Sequence, residues 1–219
     1  VYLKNREIQL IDNQNINNMK TKLFTIITTL VLVGGIASFA SATTNNNNAP
    51  TVLANVSKIN KIEIRGNVEL YVSAGTADQV KVYNRYYAES ALVQSQNGVL
   101  RITSYKPEKL VVWVTANDLR AISAYDNAQV KSFGKLSAIE LDVNLHNNAT
   151  AKLNVDAFKA NVNVNDRAKI DLAGTADAYT LNHAISSSVN NNNFTAMNYT
   201  DTLTNDGVKK EISNEFAGL

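Results

Sequence analysis

The chain has 219 residues, 45% of them hydrophobic and 18% charged, with two prolines, two histidines and no cysteine. The missing cysteine excludes a disulfide framework, a thiolate metal site and a lipobox residue for acylation. The formal charge of +2 belongs to the first 42 residues: removing their four basic and two acidic side chains leaves 17 of each. No basic stripe then remains to point to nucleic acid.

Residues 1–18 are Asn-rich, lack apolar periodicity and read as a non-native upstream extension. Met19 opens a signal peptide over 19–42. Lys20 and Lys22 form its charged region, Leu23 to Phe39 its apolar core, and Ala40-Ser41-Ala42 its small-x-small cleavage site. The apolar run carries threonines, serines and glycines, so it reads as a cleaved leader and leaves no stable membrane span. Export to the periplasm, the outer surface or the extracellular space follows from that reading. Residues 43–55, with Asn45 to Asn48, read as a disordered linker.

Strands begin after the linker. Ile59, Ile62 and Ile64 lead to a turn at Arg65-Gly66-Asn67, and Val68, Leu70 and Val72 alternate after it. Val80 and Val82 start another strand. Tyr83, Arg85, Tyr86 and Tyr87 make an aromatic cluster expected to pack against the rest of the domain. Leu92 to Ile102 reads as a hairpin around Asn97-Gly98, which suits a type I′ turn. The unbroken apolar run Leu110 to Val114 predicts a strand buried on both faces or packed under another layer, with Trp113 on it. This part is therefore read as an N-terminal β-hairpin-rich portion.

From Leu119 to Asn193 one short unit is written four times. Its anchors Ala128, Ala149, Ala168 and Ser187 stand 21, 19 and 19 residues apart. Ile122, Val143, Val162 and Leu181 precede the anchors by six residues, and Val130, Ala151, Ile170 and Val189 follow by two. Polar residues fill the alternate offsets: Ser123, Asn144, Asn163 and Asn182 form one such set. Period two means strand, and a period near 20 means stacked coils that share one core. At ~3.3 Å per residue such a coil is narrow or flattened. The expected fold is an all-β, parallel β-helix-like solenoid. Asn144, Asn163 and Asn182 are placed to hydrogen-bond along the stack. Asp126, Asn147 and Asp166 suit a corner turn. After Asn193 the repeat decays, and Phe194, Met197, Tyr199 and Leu203 are expected to cap the last coil's open edge. Residues 208–219 are read as a tail.

Several stretches together resemble the DUF2807 family, labelled putative auto-transporter adhesin, head GIN domain. They are Ile62-x-Ile64-x-Gly66-Asn67-Val68-Glu69-Leu70-Tyr71-Val72, Asn97-Gly98-Val99-Leu100-Arg101-Ile102, the Leu110–Val114 strand, and Leu119 to Ala128 opening the Ala-centred repeats. The resemblance covers 56–207. It implies a right-handed β-helix character, the exported proteins of Bacteroidetes, no enzyme activity and no agreed ligand.

Catalytic motifs are missing from the pattern. No serine or threonine sits in a nucleophile motif with His and a carboxylate. Gly174 and Gly207 are isolated, so there is no phosphate loop. His146 faces outward and His183 inward, neither with ligands at metal spacing. No cofactor is expected. Tyr125, His146 and Asn165 share one outward column, an aromatic beside hydrogen-bonding groups, and form the candidate binding face. Two functions remain. The first is a non-catalytic envelope or surface protein, adhesin-like or structural, with a surface glycan or an envelope protein as partner. The alternative is a carbohydrate-active β-helix enzyme such as a polysaccharide lyase, with Asp166, Arg167 and Lys169 as its first candidates.

Overall fold

The computed structural model describes residues 50–53, 56, 58–83 and 91–205. The proposed extension, leader and tail, with Arg85, Tyr86 and Tyr87, lie outside them. The described residues are all-β: thirteen strands joined in one mixed sheet, without a helix. The strands are β1 (Thr51–Val52), β2 (Lys61–Arg65), β3 (Val68–Ala74), β4 (Gln79–Val82), β5 (Ala91–Gln96), β6 (Val99–Ser104), β7 (Leu110–Ala116), β8 (Ala121–Ala124), β9 (Gln129–Ser132), β10 (Leu136–Leu145), β11 (Thr150–Val164), β12 (Lys169–Ala184) and β13 (Ser188–Thr204).

The repeat pairs as its period requires. β10, β11, β12 and β13 lie parallel in sequence order, with Val143 opposite Val162 and Val162 opposite Leu181. β8 and β9 continue the stack beside β10 and β11. Ile122, Val143, Val162 and Leu181 are each at most 2% exposed, so the apolar residues of successive rungs meet in one dry column. Packing of this kind is worth ~1.5–3 kcal/mol per large side chain removed from water. Within β11 the in–out alternation slips once, at Phe158 and Lys159, both exposed between buried Ala157 and Ala160. That slip marks a corner. Residues on either side of it face the same interior from two sides.

The N-terminal part differs from expectation. It holds one short hairpin, β5 against β6, with Asn97 at φ 51° and Gly98 at φ 80°, the positive pair a type I′ turn needs. β2 and β3 do not pair with each other. β2 lies parallel between β6 and β8, and β3 lies parallel between β7 and β9. β2 and β3, early in the sequence, therefore lie between later strands, with β6 and β7 paired outside them. The core column extends accordingly through Leu100, Ile62 and Ile122. Antiparallel β1, β4 and β5 close that end, which makes the sheet mixed.

The other end also departs from the reading. The repeat does not decay at Asn193: β13 stays in parallel register with β12 as far as Thr204, with one register shift opposite Asp171 and Ala173. Phe194 and Tyr199 are rungs of that strand, and both rings pack on buried Tyr179 at 4.9 and 5.0 Å. Met197 and Leu203 remain 82% and 59% exposed, so they cover nothing.

Candidate functional site

The tight turns between rungs fall in one column. Asp126, Asn147 and Asp166 have φ of 62°, 60° and 55°, a left-handed conformation that Asn and Asp accept more readily than other side chains. Their side chains do more than close local turns. The Asn147 amide oxygen accepts the Asp126 N–H at 3.2 Å, and the Asp166 carboxylate accepts the Asn147 N–H at 2.7 Å. Asp126 in turn accepts the Gly66 N–H at 3.2 Å. Each turn is tied to the next by one carboxylate or amide.

Tyr125, His146 and Asn165 precede these turn residues, and the fold brings the three together. The Tyr125 and His146 rings stack at 4.9 Å with planes 6° apart, and the Arg65 guanidinium lies 4.4 Å from the Tyr125 centroid. Tyr125 is thus engaged by a cation as well as by an imidazole. The Asn165 amide donates to the Leu145 carbonyl at 3.4 Å. A shallow groove of about 130 Å³ runs beside Tyr125, lined by Glu63, Arg65, Arg101 and Thr103.

A second cluster is absent from the sequence reading. In β7 only alternate residues are buried: Leu110, Val112, Val114 and Ala116 face the core, while Val111, Trp113 and Thr115 stay half-buried on the outer face. Trp113 is therefore not inside a doubly covered strand. It stacks on Tyr71 of β3 at 4.8 Å, with Phe133 at 5.4 Å and Tyr83 at 6.1 Å. Phe133 and Tyr83 are 63% and 43% exposed. The Lys131 ammonium lies 5.5 Å from the Tyr71 ring. It also meets the Glu69 carboxylate at 2.5 Å, and Lys109 reaches the same carboxylate at 3.1 Å. Tyr71 adds a hydroxyl donor at 2.9 Å. The Lys131 hydrogen bond leads these causes, and Glu69 is held down to about 2 despite its burial. Four aromatic rings and two ammonium groups thus share one outer face. The alternation Val112, Trp113, Val114 carried the outward direction, but the pairing of Tyr71 with Trp113 spans 42 residues and has no local signal.

Residues 58–207 match the model of the family described as "Putative auto-transporter adhesin, head GIN domain", DUF2807. The chain belongs to the DUF2807 family. No curated protein matches it. Its fold is similar to that of a putative adhesin from Bacteroides fragilis, with 18% identity and a TM-score of 0.61 over 70% of this chain and 77% of that one. A putative lipid binding protein from Parabacteroides distasonis is similar at 11% identity and a TM-score of 0.58, over 71% and 78% of the two chains. A putative adhesin from the same organism is similar at 15% identity and 0.55, over 72% and 79%.

Two of the residues singled out for lyase chemistry, Asp166 and Arg167, are occupied with the stack of this DUF2807 fold, and the exposed Lys169 stands beside them on β12. Asp166 accepts the Asn147 N–H, and the Arg167 side chain donates to Asn148 at 3.1 Å. Among the described residues no three His, Cys, Asp or Glu side chains converge as metal ligands, and no helix is long and apolar enough to cross a membrane. Half-buried His183 faces Asp201 at 3.3 Å near the last rung.

Proposed function

We propose that this DUF2807 protein is an exported, non-catalytic surface or cell-envelope protein of adhesin-like type that binds a glycan. The observation that carries the reading is the outer aromatic face: Tyr71, Tyr83 and Phe133 gathered around Trp113, with Lys131 over Tyr71. Aromatic faces pack on the apolar C–H faces of sugar rings, and ammonium groups at the rim engage hydroxyls or acidic substituents. Tyr71 and Trp113 stand on the paired strands β3 and β7, and Phe133 and Tyr83 follow directly on β9 and β4, so little order has to be gained on binding. We read the repeat half as a flattened solenoid, right-handed as parallel β crossovers are. The parallel register of about 19 residues and the corner at Phe158–Lys159 support that reading. Tyr125, His146 and Asn165 form a proposed second contact line, offering ring edges and an amide. Export rests on the leader from Met19 to Ala42, with the mature chain opening at Thr43.

The test is a glycan array read with the wild-type chain, Trp113→Ala and Tyr125→Ala. A glycan signal lost in Trp113→Ala and kept in Tyr125→Ala supports the outer aromatic face. Loss in Tyr125→Ala alone moves the site to the turn column. No glycan retained by the wild type rejects the ligand class.

A further inference from the structure

The outer aromatic face is part of a longer row. Strands β4, β7, β3, β9, β11 and β12 are neighbours in that order, and their pairing brings one outward residue of each to the same level. Lys81 of β4 lies opposite Trp113 of β7, and Trp113 opposite Tyr71 of β3. Tyr71 lies opposite Lys131 of β9, and Lys131 opposite Lys152 of β11. Asp171 of β12 ends the row. None of the six is buried, since the core is served by their strand neighbours, such as Val112 and Val114 beside Trp113. Adjacent strands stand ~4.8 Å apart, so Lys81 to Lys152 spans ~19 Å across the sheet.

The order along the row is cation, ring, ring, cation, cation. The level beside it carries Glu69 and Lys169. Lys109, at the head of β7, reaches onto the face at Glu69. Among the described residues on these two levels, four lysines and Lys109 therefore stand against two carboxylates, Glu69 and Asp171. The pairings do not cancel that surplus. Glu69 answers both Lys109 and Lys131, and in doing so holds the Lys131 ammonium beside the Tyr71 ring. Lys152 is 76% exposed and meets Asp171 only at 3.4 Å, an open pair that a ligand carboxylate replaces at little cost.

We propose that the ligand of this face is a linear acidic polysaccharide lying across the strands along the row from Lys81 to Lys152. This rests on the glycan reading of the aromatic face and names the class of glycan. A sugar ring with its linkage advances by about one interstrand spacing, so successive sugars fall on successive strands. Trp113 and Tyr71 take the apolar surfaces of the middle sugars, while Lys81 at one end and Lys131 and Lys152 at the other meet their carboxylates. Glu69 and Asp171 lie within the two levels, where a continuous anionic surface such as a membrane would have to cover them.

Isothermal titration calorimetry on the full chain tests this, with galacturonate, mannuronate and hyaluronan oligosaccharides of increasing length and with neutral cello- and chito-oligosaccharides. Affinity for at least one acidic series is expected to rise with length up to about five sugars and then level off. It is expected to fall as salt is raised. Lys81→Ala and Lys152→Ala, at opposite ends of the row, are each expected to weaken it about threefold, and the double variant about tenfold. Acidic binding indifferent to both substitutions overturns the proposal. Neutral oligosaccharides bound as tightly as acidic ones, and lost in Trp113→Ala alone, overturn it and leave the aromatic-face reading standing. Binding of no glycan overturns both. Tighter binding of a single-stranded oligonucleotide or of phosphatidylglycerol vesicles, weakened by the same lysine substitutions, also overturns it, because the row then serves another polyanion.

Discussion

Val164 and Asn163 are adjacent in β11 and differ in one respect, the side of the strand they face. Val164 is fully buried, opposite Leu145 on one rung and His183 on the next. Val164→Asp forfeits the ~1.5–3 kcal/mol that burying the valine contributes. It also places a carboxyl among Ala124, Leu145 and neighbouring apolar side chains, where the one donor on the next rung is the His183 imidazole already facing Asp201, which adds several kcal/mol more. A total of at least ~4 kcal/mol compares with a whole-domain stability of ~5–15 kcal/mol. Asn163 is the middle of a ladder, donating to Asn144 at 2.8 Å and accepting from Asn182 at 2.9 Å. Asn163→Ala removes both bonds. The orphaned amides are half-buried and regain water, so the expected cost is ~1 kcal/mol. For a domain of this size ~1 kcal/mol moves the melting temperature by about 2–4 °C. Thermal unfolding followed by circular dichroism should therefore show a drop of ~10 °C or more for Val164→Asp and only a few degrees for Asn163→Ala. The Val164→Asp deficit should also shrink toward acid, since protonation removes the buried charge. Equal shifts for the two variants refute the assignment of inner and outer faces.

Two further outcomes concern single groups. Glu69 titrates near 2 when folded against 4.5 as an ordinary glutamate, chiefly through Lys131. A depressed carboxylate stabilises fully above its unfolded value, and that stability is lost as the pH falls from about 4.5 through about 2. The exposed lysine ends reduce the gain to about 2 kcal/mol. Glu69→Gln should therefore cost stability at pH 7 and flatten the urea midpoint between about pH 5 and pH 2. An unchanged acid profile counts against the Lys131–Glu69–Lys109 cluster. Tyr179 is 3% exposed and, among the described residues, its hydroxyl has no partner within good hydrogen-bond geometry, the nearest group being the Asn191 amide. Tyr179→Phe should leave the melting temperature unchanged or raise it by a few degrees, because a buried unpaired hydroxyl costs ~1–3 kcal/mol. A clear loss of stability shows that the hydroxyl is bonded in solution.

Local pattern made the repeat half legible. Alternating apolar residues gave strands, the 19-residue interval gave the parallel register, and offsets gave the asparagine ladder and the turn column. The N-terminal half was opaque for a physical reason. Its strands alternate too, but the period between β2 and β6, and between β3 and β7, is not repeated often enough to stand out. Apolar strands joined by turns then read as hairpins. Only the pairing, 38 residues apart for Glu63 and Arg101 and 60 for Glu63 and Ser123, shows that they are rungs. Burial of the Trp113 strand on both faces was overestimated through the same gap. A run of apolar residues looks doubly buried until the outer neighbours are known to be Tyr71 and Phe133. Ser123 stands at an outward offset yet is 3% exposed, shaded by the longer Glu63 and Asn144 on either side.

The inserted order of strands has its own signature at Gly66. This residue occupies the tight-turn position that Asp126 occupies one rung later, with φ +82°. An aspartate or asparagine suffices at the later turns, so left-handed backbone alone does not demand glycine here. Strand β6 on its other side does: a Cβ at Gly66 would lie 2.3 Å from the Ser104 carbonyl oxygen. Gly134 supplies the control, because its φ is +79° and a Cβ there meets nothing within 4 Å. Gly134→Ala should cost only the left-handed strain, ~1 kcal/mol. Gly66→Ala carries the same strain and must also push β6 off β2, so a loss at least ~2 kcal/mol larger is expected in urea denaturation. If the two substitutions cost the same, nothing presses on Gly66, and β6 does not lie against β2 there.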